Sequence, residues 1–267
     1  MNIERCNNCL NTKIAAKNGH LECLKYAHEN GYQWNTWTCA NAARHGHLNC
    51  LKYAHENGCP WGMATCTEAA ENGHLDCLRY AHENGCPWDI RTCNNAAENG
   101  HLDCLRYAHE NGCPWNESTC SKAVQNVNLD CIRYAHENGC PWNESTCTRA
   151  AAYGHLNCLR YAHENGCPWD KFTCINAAIR GRIDCVNFLH ENGCPCSHRK
   201  LKIYSINLDT VANDPSNECC VCLNNNKKVQ FLPCNHMCCA SCTNRLIEQN
   251  STCPLCRGEI KATILIN

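Results

Sequence analysis

The chain has 267 residues, enough for two domains rather than one small module. Its net charge is −1 and it holds no basic run, which argues against an electrostatic nucleic-acid binder; nor does it hold the run of about eighteen apolar residues that a membrane span needs. Cysteine is the anomaly, at 31 residues. Yet residues 1–10 lack an apolar signal core, and most of the cysteines recur at one period, so a secreted disulfide scaffold is disfavoured.

The first elements in chain order are repeats. The phrase Gly-His-Leu-x-Cys-Leu-x-Tyr-Ala-His-Glu-Asn-Gly begins at Gly19, Gly46, Gly73, Gly100 and Gly154, with a step of 27 residues. Val127 fills the glycine position of one copy and a weaker copy starts at Gly181, so seven copies run to about residue 198. Ahead of the first copy, Cys6 and Cys9 have Cys-x-x-Cys spacing, but no second pair is recognised nearby.

Each copy predicts two helices. In the copy spanning 92–115, a short helix fits residues 92–98, with Cys93, Ala96 and Ala97 on one face. Asn99-Gly100 ends it, because glycine tolerates a left-handed cap. A second helix fits residues 102–110, where Leu102, Leu105 and Ala108 form a stripe that Cys104 widens. Asn111-Gly112 caps it and Pro114 blocks continuation. One such pair cannot bury its own apolar face, whereas stacked pairs can, which gives an α-solenoid.

The run Thr-x-x-x-Ala-Ala-x-x-Gly-His-Leu followed by Glu-Asn-Gly resembles the ankyrin repeat over both helices of each copy. Two departures stand. The period is 27 rather than about 33, and Cys93-Asn94-Asn95 stands where ankyrin repeats carry Pro-Leu-His. The missing residues fall where a β-hairpin finger would sit, so short turns are expected there. Cysteine- and tryptophan-rich repeats of this kind resemble those of large DNA viruses of protists, which implies a viral protein in the cytoplasm or nucleus of an infected host cell.

Within the array, Cys77, Cys104, Cys131 and Cys158 read as small buried hydrophobes. Cys86, Cys113 and Cys140 precede prolines and could bind metal, but no Cys-x-x-Cys accompanies them. His82, His109 and His163 read as packed or capping groups, and Trp88, Trp115 and Trp142 as packing between neighbouring loops. Cys194, Cys196 and His198 form a cluster whose simpler reading is the frayed end of the array. The second helix hardly varies between copies. Variation collects in the loop after the tryptophan, at Trp37, Met63, Ile90, Arg91, Glu117, Lys171 and Phe172, and at the first helix's end, at Tyr153 and Arg180. In ankyrin-like arrays that side forms the concave binding surface, so Trp37, Ile90, Arg91, Tyr153, Phe172 and Arg180 are candidate contacts for a protein substrate. Neutral drift at exposed positions explains the same pattern.

Residues 199–217 break the period, and Asn213-Asp214-Pro215-Ser216-Asn217 reads as a turn-rich linker. The domain reading is therefore an array over 1–198, a linker over 199–217 and a second domain over 218–267. In that domain the donors run Cys219-x-x-Cys222, Cys234-x-His236, Cys239-x-x-Cys242 and Cys253-x-x-Cys256. Eight thiol and imidazole donors make two tetrahedral zinc sites, hence two zinc ions per chain, which a module this small needs in order to fold.

This order of seven cysteines and one histidine closely resembles the RING finger. The resemblance implies a small α+β domain with a cross-brace, in which Cys219, Cys222, Cys239 and Cys242 hold one zinc and Cys234, His236, Cys253 and Cys256 the other. Cys220 and Cys238 adjoin ligands, so a slipped assignment stays open. The resemblance further implies a ubiquitin-conjugating enzyme and ubiquitin as partners. An apolar groove at Val221, Leu246 and Pro254 would receive the enzyme. Arg257 would hydrogen-bond both partners and is the candidate catalytic residue, although Val221 and Leu246 also read as core and Arg257 as surface. The chain as a whole then reads as mainly α, a ubiquitin ligase whose repeats select the substrate. The alternative is a zinc-stabilised scaffold that sequesters a host factor.

The last segment alternates Ile260, Ile264 and Ile266 with Lys261, Thr263 and Leu265, which predicts a strand. It resembles the tail of inhibitor-of-apoptosis RINGs and implies a homodimer through the RING and this strand; closing the RING's own core in a monomer is the other reading.

Overall fold

The computed structural model describes Cys9 and residues 11–195, 229–232, 237–238 and 262–265. The chain divides into two compact units, Met1–Thr146 with Glu164–Cys167, and Cys147–His163 with Pro168–Asn267. The first holds five helix pairs: α1 (Thr12–Asn18) with α2 (Leu21–Glu29), α3 (Thr36–Arg44) with α4 (Leu48–Glu56), α5 (Met63–Glu71) with α6 (Leu75–Glu83), α7 (Ile90–Asn99) with α8 (Leu102–Glu110), and α9 (Glu117–Ala123) with α10 (Leu129–Glu137). The second holds most of α11 (Glu144–Tyr153), then α12 (Leu156–Glu164, nearly all in this unit), α13 (Lys171–Ile179) and α14 (Ile183–Glu191).

The local sequence dictates where these helices start and stop. Most first helices begin on an Asn or Asp whose side chain accepts from a backbone N–H of the first turn, as Asn35 does from Trp37 and Asp89 from Arg91, both at 3.0 Å, whereas α5 starts on Gly62. Second helices end in a Schellman turn. After α4, Gly58 N–H donates to His55 O and Cys59 N–H to Ala54 O, while the Asn57 side chain donates to Tyr53 O. Gly58 makes this possible with φ 83°.

In the first unit the first helices form one row, α1 to α3 to α5 to α7 to α9, and the second helices form another. The core between the rows is small: Ala69, Ala70, Ala96 and Ala97 are wholly buried on the first helices, and Leu51, Leu78 and Leu105 on the second. Alanine lets the helices approach closely, and one leucine per copy fills the remaining volume. From the second copy on, a cysteine after the second helix closes the copy. Cys59, Cys86, Cys113 and Cys140 donate Sγ–H to the backbone oxygens of Asn35, Gly62, Asp89 and Asn116 at 3.2–3.4 Å.

Aromatic residues join one copy to the next. His82 stacks on Trp88 of its own copy at 3.7 Å, and both meet Tyr107 of the following copy edge-on. His55 repeats this with Trp61 and Tyr80, and its Nδ1 lies 3.0 Å from the Tyr80 hydroxyl. The histidines and tryptophans are thus packed, as the sequence suggests, although tryptophan meets the neighbouring second helix rather than a neighbouring loop.

The structure corrects two readings. The helix of the 92–115 copy starts at Ile90, because Asp89 is its cap. Ile90, Arg91, Met63, Trp37, Glu117, Lys171 and Phe172 therefore lie in first helical turns, not in a loop. At the divergent copy, α9 stops at Ala123, a 3-10 turn covers Val124–Asn126, and Val127 takes the left-handed conformation with φ 64°. Short turns join the copies, and among the described residues of the array no strand occurs.

The described part of the C-terminal region is a three-stranded antiparallel sheet in the order β2-β1-β3, made of β1 (Val229–Leu232), β2 (Met237–Cys238) and β3 (Ala262–Leu265). Gln230 pairs with Met237 on one side and with Ile264 on the other. The expected terminal strand is present, but it is paired within its own chain. The unpaired edge that motivated a dimer is therefore half satisfied, leaving the outer side of β3.

Candidate functional site

The candidate substrate residues lie at the starts and the ends of first helices. Trp37, Arg91 and Phe172 occupy the same place in their copies, the second residue of a first helix. Each donates its backbone N–H to the side chain of Asn35, Asp89 or Asp170 at 3.0 Å, so one capping motif positions all three. Trp37 and Phe172 are 50% and 53% exposed, a large apolar expense for a monomer surface. Lys13 lies over the Trp37 ring at 5.9 Å, and Arg91 is held by Asp89 at 3.0 Å with Met63 Sδ 4.0 Å away. Ile90, one residue earlier, is half-buried.

Tyr153 and Arg180 lie at the other end of the first helices, as the last residue of α11 and the residue capping α13. The Arg180 guanidinium sits 5.3 Å from the Tyr153 ring. A helix of this length separates its two ends by roughly 14 Å. In one unit Trp37, Ile90 and Arg91 lie at helix starts; in the other Phe172 lies at a helix start, and Tyr153 and Arg180 at helix ends.

From Cys50 onward the repeat cysteines on second helices are packed. Cys77, Cys104, Cys131 and Cys158 are buried on second helices. Burial pushes the Cys104 and Cys131 thiols up to about 12 and Cys158 up to about 11. The pre-proline cysteines are buried as well. The thiol hydrogen bond between Cys93 and Cys113, followed by burial, holds Cys93 far above the usual thiol range, and the same bond lowers pre-proline Cys113.

In the C-terminal region β1 and β2 form a hairpin, and the connection 233–236 contains Cys234 and His236. All eight expected ligands lie outside the described residues: Cys219, Cys222, Cys234, His236, Cys239, Cys242, Cys253 and Cys256. Val221, Leu246, Pro254 and Arg257 do so too, as do Cys196 and His198. The donor set itself, seven thiols and one imidazole, fits zinc.

One cluster escaped the sequence reading. The donor atoms of Cys9, His20 and Cys23 all lie within 4.8 Å of one another. The signal was present as His20-x-x-Cys23, hidden because it coincides with the repeat phrase.

Among the described residues, no helix is long and apolar enough to cross a membrane. The family model "Zinc finger, C3HC4 type (RING finger)" matches residues 215–263, and "Ankyrin repeats (many copies)" matches residues 13–58. "E3 ubiquitin-protein ligase MGRN1" of Homo sapiens is 42% identical over 59 residues, covering 22% of this chain and 11% of that protein. "Probable E3 ubiquitin-protein ligase LUL1" of Arabidopsis thaliana is 38% identical over 68 residues, covering 25% and 20%. RING finger protein ORF96 of Ostreid herpesvirus 1 is 43% identical over 56 residues, covering 21% and 22%. The chain thus spans no more than 22% of the length of these three relatives. The human ASB11 ankyrin repeat domain superposes with a TM-score of 0.52 at 19% identity, covering 59% of this chain and 84% of that one, which establishes the fold.

Proposed function

We propose that this chain, which joins ankyrin repeats to a C-terminal RING-type zinc finger, is a ubiquitin-protein ligase whose array captures a protein substrate. The observation that carries the reading is the RING match over residues 215–263, with eight metal donors in RING order and relatives named as ligases. In this reading the array covers 1–198, a linker 199–217 and the RING 218–267. Zinc is held by Cys219, Cys222, Cys239 and Cys242 in one site and by Cys234, His236, Cys253 and Cys256 in the other, two ions in the module, and it supplies structure only. Val221, Leu246 and Pro254 receive the conjugating enzyme. Arg257 hydrogen-bonds that enzyme and ubiquitin and holds the thioester where a substrate lysine attacks it. No cysteine of this chain carries ubiquitin. The gain is orientation, which contributes several kcal/mol at most in such a step.

The herpesvirus relative supports a viral protein acting inside a host cell. The outer side of β3 is where a second copy would add to the sheet; light scattering on the full chain, with and without Ile264→Glu, tests that dimer.

Autoubiquitination with a panel of conjugating enzymes tests the activity. Self-modification with at least one of them is expected. Complete inactivity of zinc-replete protein turns the reading into the second one, a scaffold that captures a host factor through exposed Trp37 and Phe172. Replacing Trp37, Tyr153 and Phe172 together is expected to abolish substrate capture while sparing self-modification.

A further inference from the structure

The first described copy of the array differs from the others at the residue that opens its second helix. In later copies the residue that opens the second helix reaches back to the previous copy. His47 Nε2 meets Lys17 O at 3.1 Å, Asn128 donates to Ala97 O and Glu98 O at 3.1 and 2.8 Å, and Arg182 donates to Ala152 O at 3.3 Å. Three different side chains thus do one task. His20 holds the same position in the first described copy, is exposed, and meets Cys9 instead.

The cysteine three residues on follows the same logic. Cys50, Cys77, Cys104 and Cys131 are about 1% exposed. Cys23, their counterpart, is only half-buried. Its thiol is therefore reachable by an ion from solvent, as theirs are not.

Two further cysteines occur only here. By the repeat step, Cys9 corresponds to Thr36, Met63, Ile90, Glu117, Glu144 and Lys171, and Cys6 to Gln33 and then to six prolines. Neither is part of the repeat pattern. Cys9 Sγ lies 3.0 Å from His20 Nδ1, and the Asn18 side chain lies 3.9 Å from the same sulfur. The three donor atoms fall within 4.8 Å of each other. A tetrahedral zinc with Zn–S near 2.3 Å and Zn–N near 2.0 Å places its donors roughly 3.5–3.8 Å apart, so adjustments of about an ångström close the site.

From these observations we infer that Cys9, His20 and Cys23 bind a zinc ion at the first helix pair, separate from the RING. His20 and Cys23 lie on the opening turn of α2 and Cys9 just ahead of α1, so the ion ties Cys9 across the first helix pair. Binding releases two thiol protons, from Cys9 and Cys23, and takes His20 as neutral imidazole, with water completing the coordination.

The test is metal content of the full chain, measured per mole of protein by mass spectrometry of the elements. Cys9→Ser is expected to hold one zinc equivalent fewer than wild type. Cys9 precedes α1, and circular dichroism should show the array's helicity nearly unchanged. The pair Cys219→Ser with Cys222→Ser reports the RING separately, so a failed RING assignment is distinguishable from a failed site at the first helix pair. Cobalt-loaded wild type minus cobalt-loaded Cys9→Ser should leave the intense visible bands of one tetrahedral thiolate site. Equal metal content in Cys9→Ser and wild type, with no such difference spectrum, overturns the inference.

Discussion

The array and the C-terminal module use the same residue in opposite chemical states. In the array, cysteine is a small hydrophobe: Cys104 and Cys131 are buried, protonated and packed beside leucine or isoleucine. In the module, cysteine stands in pairs two residues apart, and the RING reading makes each a thiolate on zinc. What separates the two is context: helical spacing that buries one thiol at a time, against chelating spacing in a segment too small for a core of its own. Cysteine count alone therefore predicts neither disulfides nor metal.

Removing metal should break this comparison most visibly. A structural zinc contributes about 10–16 kcal/mol of apparent folding free energy. A strong chelator should unfold the module and end ubiquitin transfer, while hydrogen exchange from α3 through α10 stays protected. Collapse of that protection would mean that the array also depends on metal.

Alkaline pH should act on the other side. Burial raises Cys50, Cys158 and Cys185 to about 11 and Cys77, Cys104 and Cys131 to about 12, from an ordinary value near 8.5. Above that ordinary value the unfolded chain gives up these protons and the folded array keeps them, so stability falls as pH rises. It is intact below about pH 8.5 and is lost progressively toward pH 11–12. Denaturant titrations of the array at pH 8 and pH 10 check this, and equal midpoints would remove the buried-thiol account.

Val127 offers a smaller effect. A β-branched residue in the left-handed region costs about 1–2 kcal/mol, and Val127 is 54% exposed, so little packing offsets it. Val127→Gly should raise the thermal midpoint by a few degrees, corresponding to about 1 kcal/mol, as scanning calorimetry would show.

Much of this was legible in the sequence because each copy repeats its own instructions. The second helix at 102–110 was readable from its apolar stripe and its Asn-Gly stop, and it forms as α8. The first helix was read two residues short, because the capping role of Asp89 was not recognised, and so exposed Trp37 and Phe172 were placed in loops. The His–Trp–Tyr contact was not legible: its partners lie six and 25 residues from the histidine, and no helical period relates them. The Cys9, His20 and Cys23 cluster was obscured for a different reason, since two of its members also belong to the repeat phrase. The RING module was readable because its Cys-x-x-Cys pairs stand in RING order, and the family model matches residues 215–263.

The central claim is that the module accelerates ubiquitin transfer, and single-turnover discharge tests it most directly. A conjugating enzyme carrying thioester-linked ubiquitin is mixed with free lysine and the zinc-replete chain, and thioester loss is followed over time. Wild type should accelerate discharge, and Arg257→Ala should slow it by about tenfold, equivalent to about 1.4 kcal/mol of barrier, with zinc content unchanged. Discharge no faster with wild type than with buffer, for every conjugating enzyme in the panel, would contradict the claim.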